Sequence, residues 1–385
     1  MKERRDGWSR GKGGRFYMSS PKSTGRLKNL FSAQDMAVGA PWRRILEFSL
    51  PMLIGNLAQQ MYNTADSVIV GIYVGDNALA AVGSASPILN LLLALFVGIA
   101  TGAGILVAQY FGARDRERLS GVIGNCMTLT LVASAIIMVI GPLVTRPLLE
   151  LLNTPASILD WCTDYLNIFF LGIVGFAAYN ILSGVLRGLG DSLSALVFLI
   201  VATVLNIGLD LWFVAGLRLG VAGVALATVI AQAISAVLCF FKLFRMHDVF
   251  TLRFSHLRPV REYVGKIIRL GVPSGVTQAI FSTAMLVVQS LTNSFGEAVI
   301  ACNVIVMRVD GFAMMPNFTF GQAMTTYTGQ NVGAGKPDRV RTGAKQGTLM
   351  ALACAAALTL CILLFGRSLM GIFTDTAELV EMSYH

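Results

Sequence analysis

Apolar residues recur in stretches of about 20 or more, at about 45–74, 83–110, 122–145, 164–184, 194–216, 222–242, 266–294, 298–327 and 343–366, with short polar connections between them. Each stretch is long enough, as a helix, to cross a hydrocarbon core of about 30 Å. The pattern predicts an all-α polytopic membrane protein with nine spans. Almost every span carries Gly, Ala, Ser or Thr, which lets helices approach closely. Against this background the polar positions are informative. The stretch Leu50 to Gly71, LPMLIGNLAQQMYNTADSVIVG, places Asn56, Gln59, Asn63 and Asp66 at spacings of 3, 4 and 3 along one helical face. An aspartate at bilayer depth is costly unless it faces a cavity or a partner, so the stripe points to a helix lining an aqueous path.

The pattern also repeats. The first half reads GDNALAA from Gly75 and, 34 residues on, QYFGARDRER; the second reads GEAVIA from Gly296 and, again 34 residues on, QNVGAGKPDR. Gln109 thereby aligns with Gln330, Gly112 with Gly333 and Arg118 with Arg339, and Pro51 with Pro273 at nearly the same offset. Six spans separate equivalent points, an even number, so the halves share an orientation. Their axis then runs along the membrane normal, as in parallel-repeat transporters. The expected organisation is a basic, disordered cytoplasmic arm over 1–40, an N-lobe of six spans over 41–242, a cytoplasmic inter-lobe linker over 243–265, and a partial C-lobe over 266–385. That last part holds three spans and the start of a tenth. By the repeat's arithmetic about three helices are absent, so the chain reads as a fragment truncated after its ninth span. The other reading is a chain that completes itself by assembly.

Composition agrees with the class: 55% of the 385 residues are hydrophobic and 13% charged, well below the charged share of soluble domains. The net charge of +9 invites a nucleic-acid reading, but its placement excludes one. Of 30 Lys and Arg, only Arg146, Arg218 and Arg367 fall in one set of alternate loops and Arg308 inside a span; the other 26 lie in the arm and the intervening connections. That is the positive-inside signature, with the N-terminus on the cytoplasmic side of a cell inner membrane. The arm has no apolar core of signal-peptide type. Six cysteines lie in or beside spans without metal spacing, and fit small buried hydrophobes.

Further polar stripes mark candidate chemistry. Thr203, Asn206 and Asp210 share the fifth span, Asn180, Ser183 and Arg187 the fourth, and Thr228, Gln232 and Ser235 the sixth; Ser274 and Gln278 stand one turn apart in the seventh. Alone, each stripe reads as interhelical hydrogen bonding. Several converging in one lobe with two carboxylates suggest more. Such a pair in a low-dielectric cavity takes up and releases a proton, or binds a sodium ion through carboxylate, amide and hydroxyl oxygens. Asp66 and Asp210 are the expected coupling carboxylates, with Asn206, Asn180 and Thr203 as hydrogen-bonding partners; no metal is expected beyond sodium at the two acids, and no cofactor. Gln59, Asn63, Gln232, Gln278, Arg308 and Asp310 are candidates for a substrate cleft, Arg308 and Asp310 equally fitting structural pairing. Signatures of soluble enzymes (HExxH, a Walker loop, GxSxG) do not occur, and the glycines of GVAGVALA follow no strand, so they read as helix packing.

Pro51 followed by NLAQQMYNTADSVIVG, the GARDRER connection, NILSGVLRGLGDS at Asn180, NIGLDLWF at Asn206 and GVAGVALATVIAQ at Gly220 resemble the multidrug and toxic compound extrusion (MATE) transporters over about residues 41–385. The resemblance implies twelve spans in two six-helix lobes and expulsion of organic cations in exchange for protons or sodium. Carried across, the family's first-helix aspartate falls on Asp66, its fifth-helix Asn and Asp on Asn206 and Asp210, and its fourth-helix asparagine on Asn180, as in the DinF-like branch. The seventh span has Gln278 and Gln289 but no glutamate, a departure from the NorM-like branch with its acidic second lobe. The expected function is multidrug efflux by a monomeric secondary antiporter working by alternating access, with organic cations or amphipathic small molecules and the bilayer as partners. A lipid or lipid-linked oligosaccharide flippase is the alternative, disfavoured because only Arg308 lies deep where phosphates would need several cations. An intramembrane enzyme would need a nucleophile beside a base or a metal cluster, and a non-transporting fragment would fold without moving solute.

Overall fold

The computed structural model describes residues 8–10, 16–18, 33–152, 154–293 and 297–370, with some side chains in α2, α8 and α9 left undescribed. Among the described residues ten helices follow one another: α1 Pro41–Tyr73, α2 Asp76–Gly112, α3 Arg116–Leu151, α4 Ala156–Leu171, α5 Ile173–Gly188, α6 Ser192–Asp210, α7 Gly220–Phe244, α8 Arg261–Asn293, α9 Glu297–Gly333 and α10 Pro337–Met370. Helices α4 and α5 form one span bent by 54°. Gly172 stands at the bend, where a side chain would collide with Val229. With α4 and α5 counted together, the described residues hold nine helical segments, one for each apolar stretch of the sequence. Over their described residues α3, α6 with its continuation to Gly216, α7 and α10 meet the length and apolarity of membrane-crossing helices, and the bent pair makes a fifth. Helices α1, α2, α8 and α9 run 33 to 37 residues. Large apolar side chains such as Val139 and Leu143 on α3 and Leu363 and Phe365 on α10 point outward, as they do where the solvent is lipid.

The cation-bearing connections meet at one end of the bundle. Arg114 pairs with Asp35 at 3.2 Å, Arg116 reaches Thr251 at 2.8 Å and the His247 carbonyl, and Lys336 donates to the Ala37 carbonyl at 2.9 Å. At this end the halves interlock. The first half of α1 packs on α9 and α10 around Phe48, Met52, Phe320 and Tyr327, while α8 lies along α2. Helices α1 and α8, and α2 and α9, occupy equivalent places in the sequence repeat, so the two contacts mirror one another. Glycines bring α2 and α8 together: a side chain on Gly102 would collide with the Ile267 carbonyl, and one on Gly98 would lie 2.9 Å from the Gly271 carbonyl oxygen.

Two stretches expected to be loose are held. Trp8–Arg10 and Phe16–Met18 pair as short antiparallel strands, a small departure from the all-α expectation. Residues 33–40 form a strap rather than a disordered arm: Met36 and Ala37 are buried, the Met36 N–H donates to Gln330 Oε1 at 2.8 Å, and Arg339 and Asn331 donate to the Met36 carbonyl. The reason is polar satisfaction, since buried backbone groups without such partners would be costly. The linker is likewise tied down along α3. The Val260 N–H donates to Asn125 Oδ1 at 2.6 Å, Asn125 Nδ2 to the His256 carbonyl at 3.2 Å, and Thr128 to the Leu257 carbonyl at 2.6 Å.

Candidate functional site

Asp66 lies past the middle of α1, on a face that turns toward α6. There it meets Asn206 and Asp210, which stand one turn apart and are both 0% exposed. With its amide oriented to suit its neighbours, Asn206 Nδ2 donates to Asp66 Oδ1 at 2.7 Å and to Asp210 Oδ2 at 3.1 Å. One amide therefore bridges two carboxyl groups from different helices, which holds them close together. Two bare carboxylates repel at that separation, so the arrangement calls for a proton or a cation between them. Asp210 Oδ1, although buried, has no hydrogen-bond partner in the described structure. The helix changes winding immediately after Asp210, with π-type turns over Leu211–Gly216. Such turns are frequent at functional sites because they leave backbone and side chains re-aimed.

Two buried tyrosines lie in the same lobe. Tyr62, one turn before Asp66, is buried and donates to Thr228 Oγ1 on α7 at 3.2 Å. Tyr165 on α4 is buried in the core cluster that also holds Ile69 and Val70 of α1 and Val214. Gln232, one turn beyond Thr228, is buried with its Oε1 unpartnered. Neither tyrosine stands out in sequence, although Tyr62 lies four residues from Asp66 on the same face, a signal that was there to be read. Ser235 Oγ donates to the Phe198 carbonyl at 3.0 Å, which makes it helix packing.

The other expected partners of the acids are elsewhere. Thr203 donates to the Leu199 carbonyl at 3.0 Å and Asn180 to the Phe176 carbonyl at 2.9 Å, each within its own helix. Short polar side chains back-bond to the preceding turn readily, and the spacing alone does not disclose it. Among the described residues no hydrogen bond joins Asn180 or Thr203 to either carboxyl, and the bridging partner is Asn206.

The expected substrate-cleft residues do not gather into one chamber. Asn63 lines an open groove of about 480 Å³ with Gln60, Thr64 and Ser67 along α1, and Gln59 is half-buried beside it. Gln278 lines a separate, mainly apolar cavity of about 1040 Å³ among α2, α3 and α8, with Asn90, Ile140, Phe176 and Phe281. Gln232 is inside the N-lobe, Asp310 is exposed on α9, and the side chain of Arg308 lies outside the described residues. Polar residues on different helices share a chamber only if their faces converge, which no single-helix pattern specifies. Among the described residues no cluster of three or more metal-type side chains occurs.

Known proteins give the fold its context. The MatE family profile matches residues 51–212 and 273–385. The chain is 30% identical over 351 residues to a probable multidrug resistance protein of Bacillus subtilis, YoeA, covering 89% of this chain and 76% of that one. It is 25% identical to a probable multidrug resistance protein, NorM, of Thermotoga maritima, covering 89% and 74%. A solved multidrug resistance MATE family transporter of the MOP superfamily, in an outward-facing conformation, superposes with a TM-score of 0.85 at 26% identity, over 91% of this chain and 79% of that one. A MOP superfamily transporter from Pyrococcus furiosus, described as having a binding pocket of reverse polarity, superposes with a TM-score of 0.83 at 26% identity, over 91% and 77%.

Proposed function

This chain belongs to the MATE family of membrane transporters, and from that premise we propose that it exports cationic or amphipathic organic compounds in exchange for protons or sodium ions. The observation that carries the coupling is the carboxyl pair: Asp66 and Asp210 bridged by Asn206, with Asp210 Oδ1 buried and unpartnered. A proton or sodium ion arriving at the pair removes the repulsion and supplies the missing partner. Its departure leaves the buried Asp210 and the half-buried Asp66 both charged, and their repulsion favours a rearrangement of α1 against α6. Alternating access then follows if that rearrangement decides whether the lobes close at the cationic end, as here, or at the other end. By the positive-inside pattern the cationic end faces the cytoplasm. Substrate would use the groove along α1 or the apolar cavity beside α8, whose about 1040 Å³ suits an organic ligand.

The test is efflux of a fluorescent organic cation from everted membrane vesicles, with wild type, Asp66→Asn and Asp210→Asn compared under an imposed proton gradient and then a sodium gradient. Transport driven by one gradient and lost in both variants supports the pair and identifies the ion. Transport surviving both substitutions moves the coupling elsewhere. Transport of lipid but of no cation would replace the substrate class.

A further inference from the structure

A second polar cavity, of about 100 Å³, lies between the lobes and is lined by Asn180 and Arg187 of α5, Met52 of α1, and Gln322, Thr325 and Thr326 of α9, among others. Its charged member has an incomplete set of partners. Arg187 carries five N–H donors, and the one hydrogen bond it makes among the described residues runs from Nη1 to Ser183 Oγ at 2.7 Å. No carboxylate pairs with it there. Asp191, four residues on, is committed elsewhere: its carboxylate accepts from the Ser194 N–H at 2.9 Å and hydroxyl at 2.7 Å and pairs with Lys242 at 3.5 Å. Arg187 is half-buried; a guanidinium partly withdrawn from solvent without a counter-charge is costly, and an anion beside it lowers that cost. The surrounding groups suit one: the hydroxyl of Thr326 and the amide of Gln322 line the same cavity, while the Thr325 hydroxyl is already donated to the Gly321 carbonyl at 2.9 Å. The volume decides the size of the guest. It holds roughly three waters at about 30 Å³ each, far below the roughly 300 Å³ at which drug-sized pockets begin.

We propose that this cavity binds one small monovalent anion, a chloride ion or a single carboxylate group, between Arg187 and the polar face of α9. Because its walls come from both lobes, the anion is held only while the lobes are closed at the cationic end. The site is separate from the carboxyl pair, and the proposal stands whether or not that pair couples transport.

The experiment is equilibrium binding of radiolabelled chloride to the full chain in nanodiscs, at constant ionic strength with gluconate as the replacement anion. Saturable binding at one ion per chain is expected, weakened at least tenfold by Arg187→Gln and less by Arg187→Lys. Displacement by acetate would extend the site to carboxylates, and failure to displace would restrict it to halide; both outcomes keep the anion site. Absence of saturable binding of chloride, with acetate binding also absent when measured directly, overturns it and leaves a water-filled cavity. Binding unchanged in Arg187→Gln overturns it as well. Should Arg187→Gln not fold, Thr326→Val carries the test, and unchanged chloride affinity there overturns the assignment.

Discussion

Gly112 and Gly333 meet across the lobe interface in a reciprocal contact: a side chain on Gly112 would collide with the Gln330 carbonyl, and one on Gly333 with the Gln109 carbonyl. The four residues form two pairs at the same sequence offset, so the internal repeat appears in space as a two-fold crossing of α2 and α9. Both obstacles are backbone, which cannot rotate aside. Gly112→Ala and Gly333→Ala should each destabilise this closed end by about 1–3 kcal/mol, the usual cost of overpacking. The check is the thermal midpoint of each variant in detergent, with Gly321→Ala, where nothing lies within 4 Å, as the tolerant control. Midpoints equal to the control would show that the crossing is looser than the contact indicates.

Gln109 and Gln330 are equals in the repeat but not in the structure. Gln330 is 0% exposed, accepts from the Met36 N–H and donates to the Gly188 carbonyl at 3.1 Å, tying the strap, α5 and α9 together. Gln109 is partly buried, and no side-chain bond of this kind is seen for it among the described residues. Gln330→Leu leaves two backbone groups without partners, at about 1–3 kcal/mol each; Gln109→Leu should cost far less. Thermal midpoints of the two variants decide it, and equal losses would mean that the strap's bonds contribute little.

Much of this was legible beforehand, for identifiable reasons. Spans follow from apolar length, and the shared end of the cationic connections follows from their alternation. The meeting of Asp66 with Asn206 and Asp210 was foreshadowed by acids at bilayer depth on two polar faces. What stayed hidden depends on tertiary packing. The bend at Gly172 reflects Val229 on another helix, and the π turns after Asp210 leave no composition mark. The strap over 33–40, AQDMAVGA, shows no span or cap pattern, and its place is set only by Gln330 and Arg339 beside it. The scattering of Asn63, Gln278 and Gln232 arises because helical periodicity fixes a face on one helix and says nothing about which neighbour that face meets.

Asn206 should matter through both acids at once. Asn206→Ala removes the donor shared by Asp66 and Asp210, leaving the two carboxyls to repel. A stability loss of about 1–3 kcal/mol at neutral pH is expected, with gradient-driven efflux reduced. In an Asp66→Asn background one of those charges is already gone, so the same substitution should cost less, a coupling of about 0.5–3 kcal/mol. Thermal midpoints of the wild type, the two single variants and the double variant close this cycle. Additive losses would place Asn206 outside the carboxyl pair's energetics.

Asn125 should govern how firmly the inter-lobe linker lies on α3. Its side chain is almost fully buried and serves the linker from both ends of the amide, accepting from the Val260 N–H and donating to the His256 carbonyl. Around it Gly124 and Gly121 leave room for His256 and Tyr263, which a side chain at either glycine would strike. Exposed arginines at Arg253 and Arg261, neither followed by proline, make this the natural site of tryptic cleavage once it lifts. Asn125→Ala removes both bonds while leaving the apolar anchors Val249 and Phe250 buried among the core side chains. Detachment should therefore be local, and the helices should keep their thermal midpoint, their stability changing by less than about 1 kcal/mol. A loss of about 1.4 kcal/mol of local stability corresponds to a tenfold faster cleavage when opening is rapid. The measurement is a time course of limited trypsin digestion, wild type against Asn125→Ala. A common cleavage rate would mean that Val249, Phe250 and Arg116 hold the linker and that Asn125 is a bystander; a midpoint that falls with the faster cleavage would mean that linker and helices unfold as one unit.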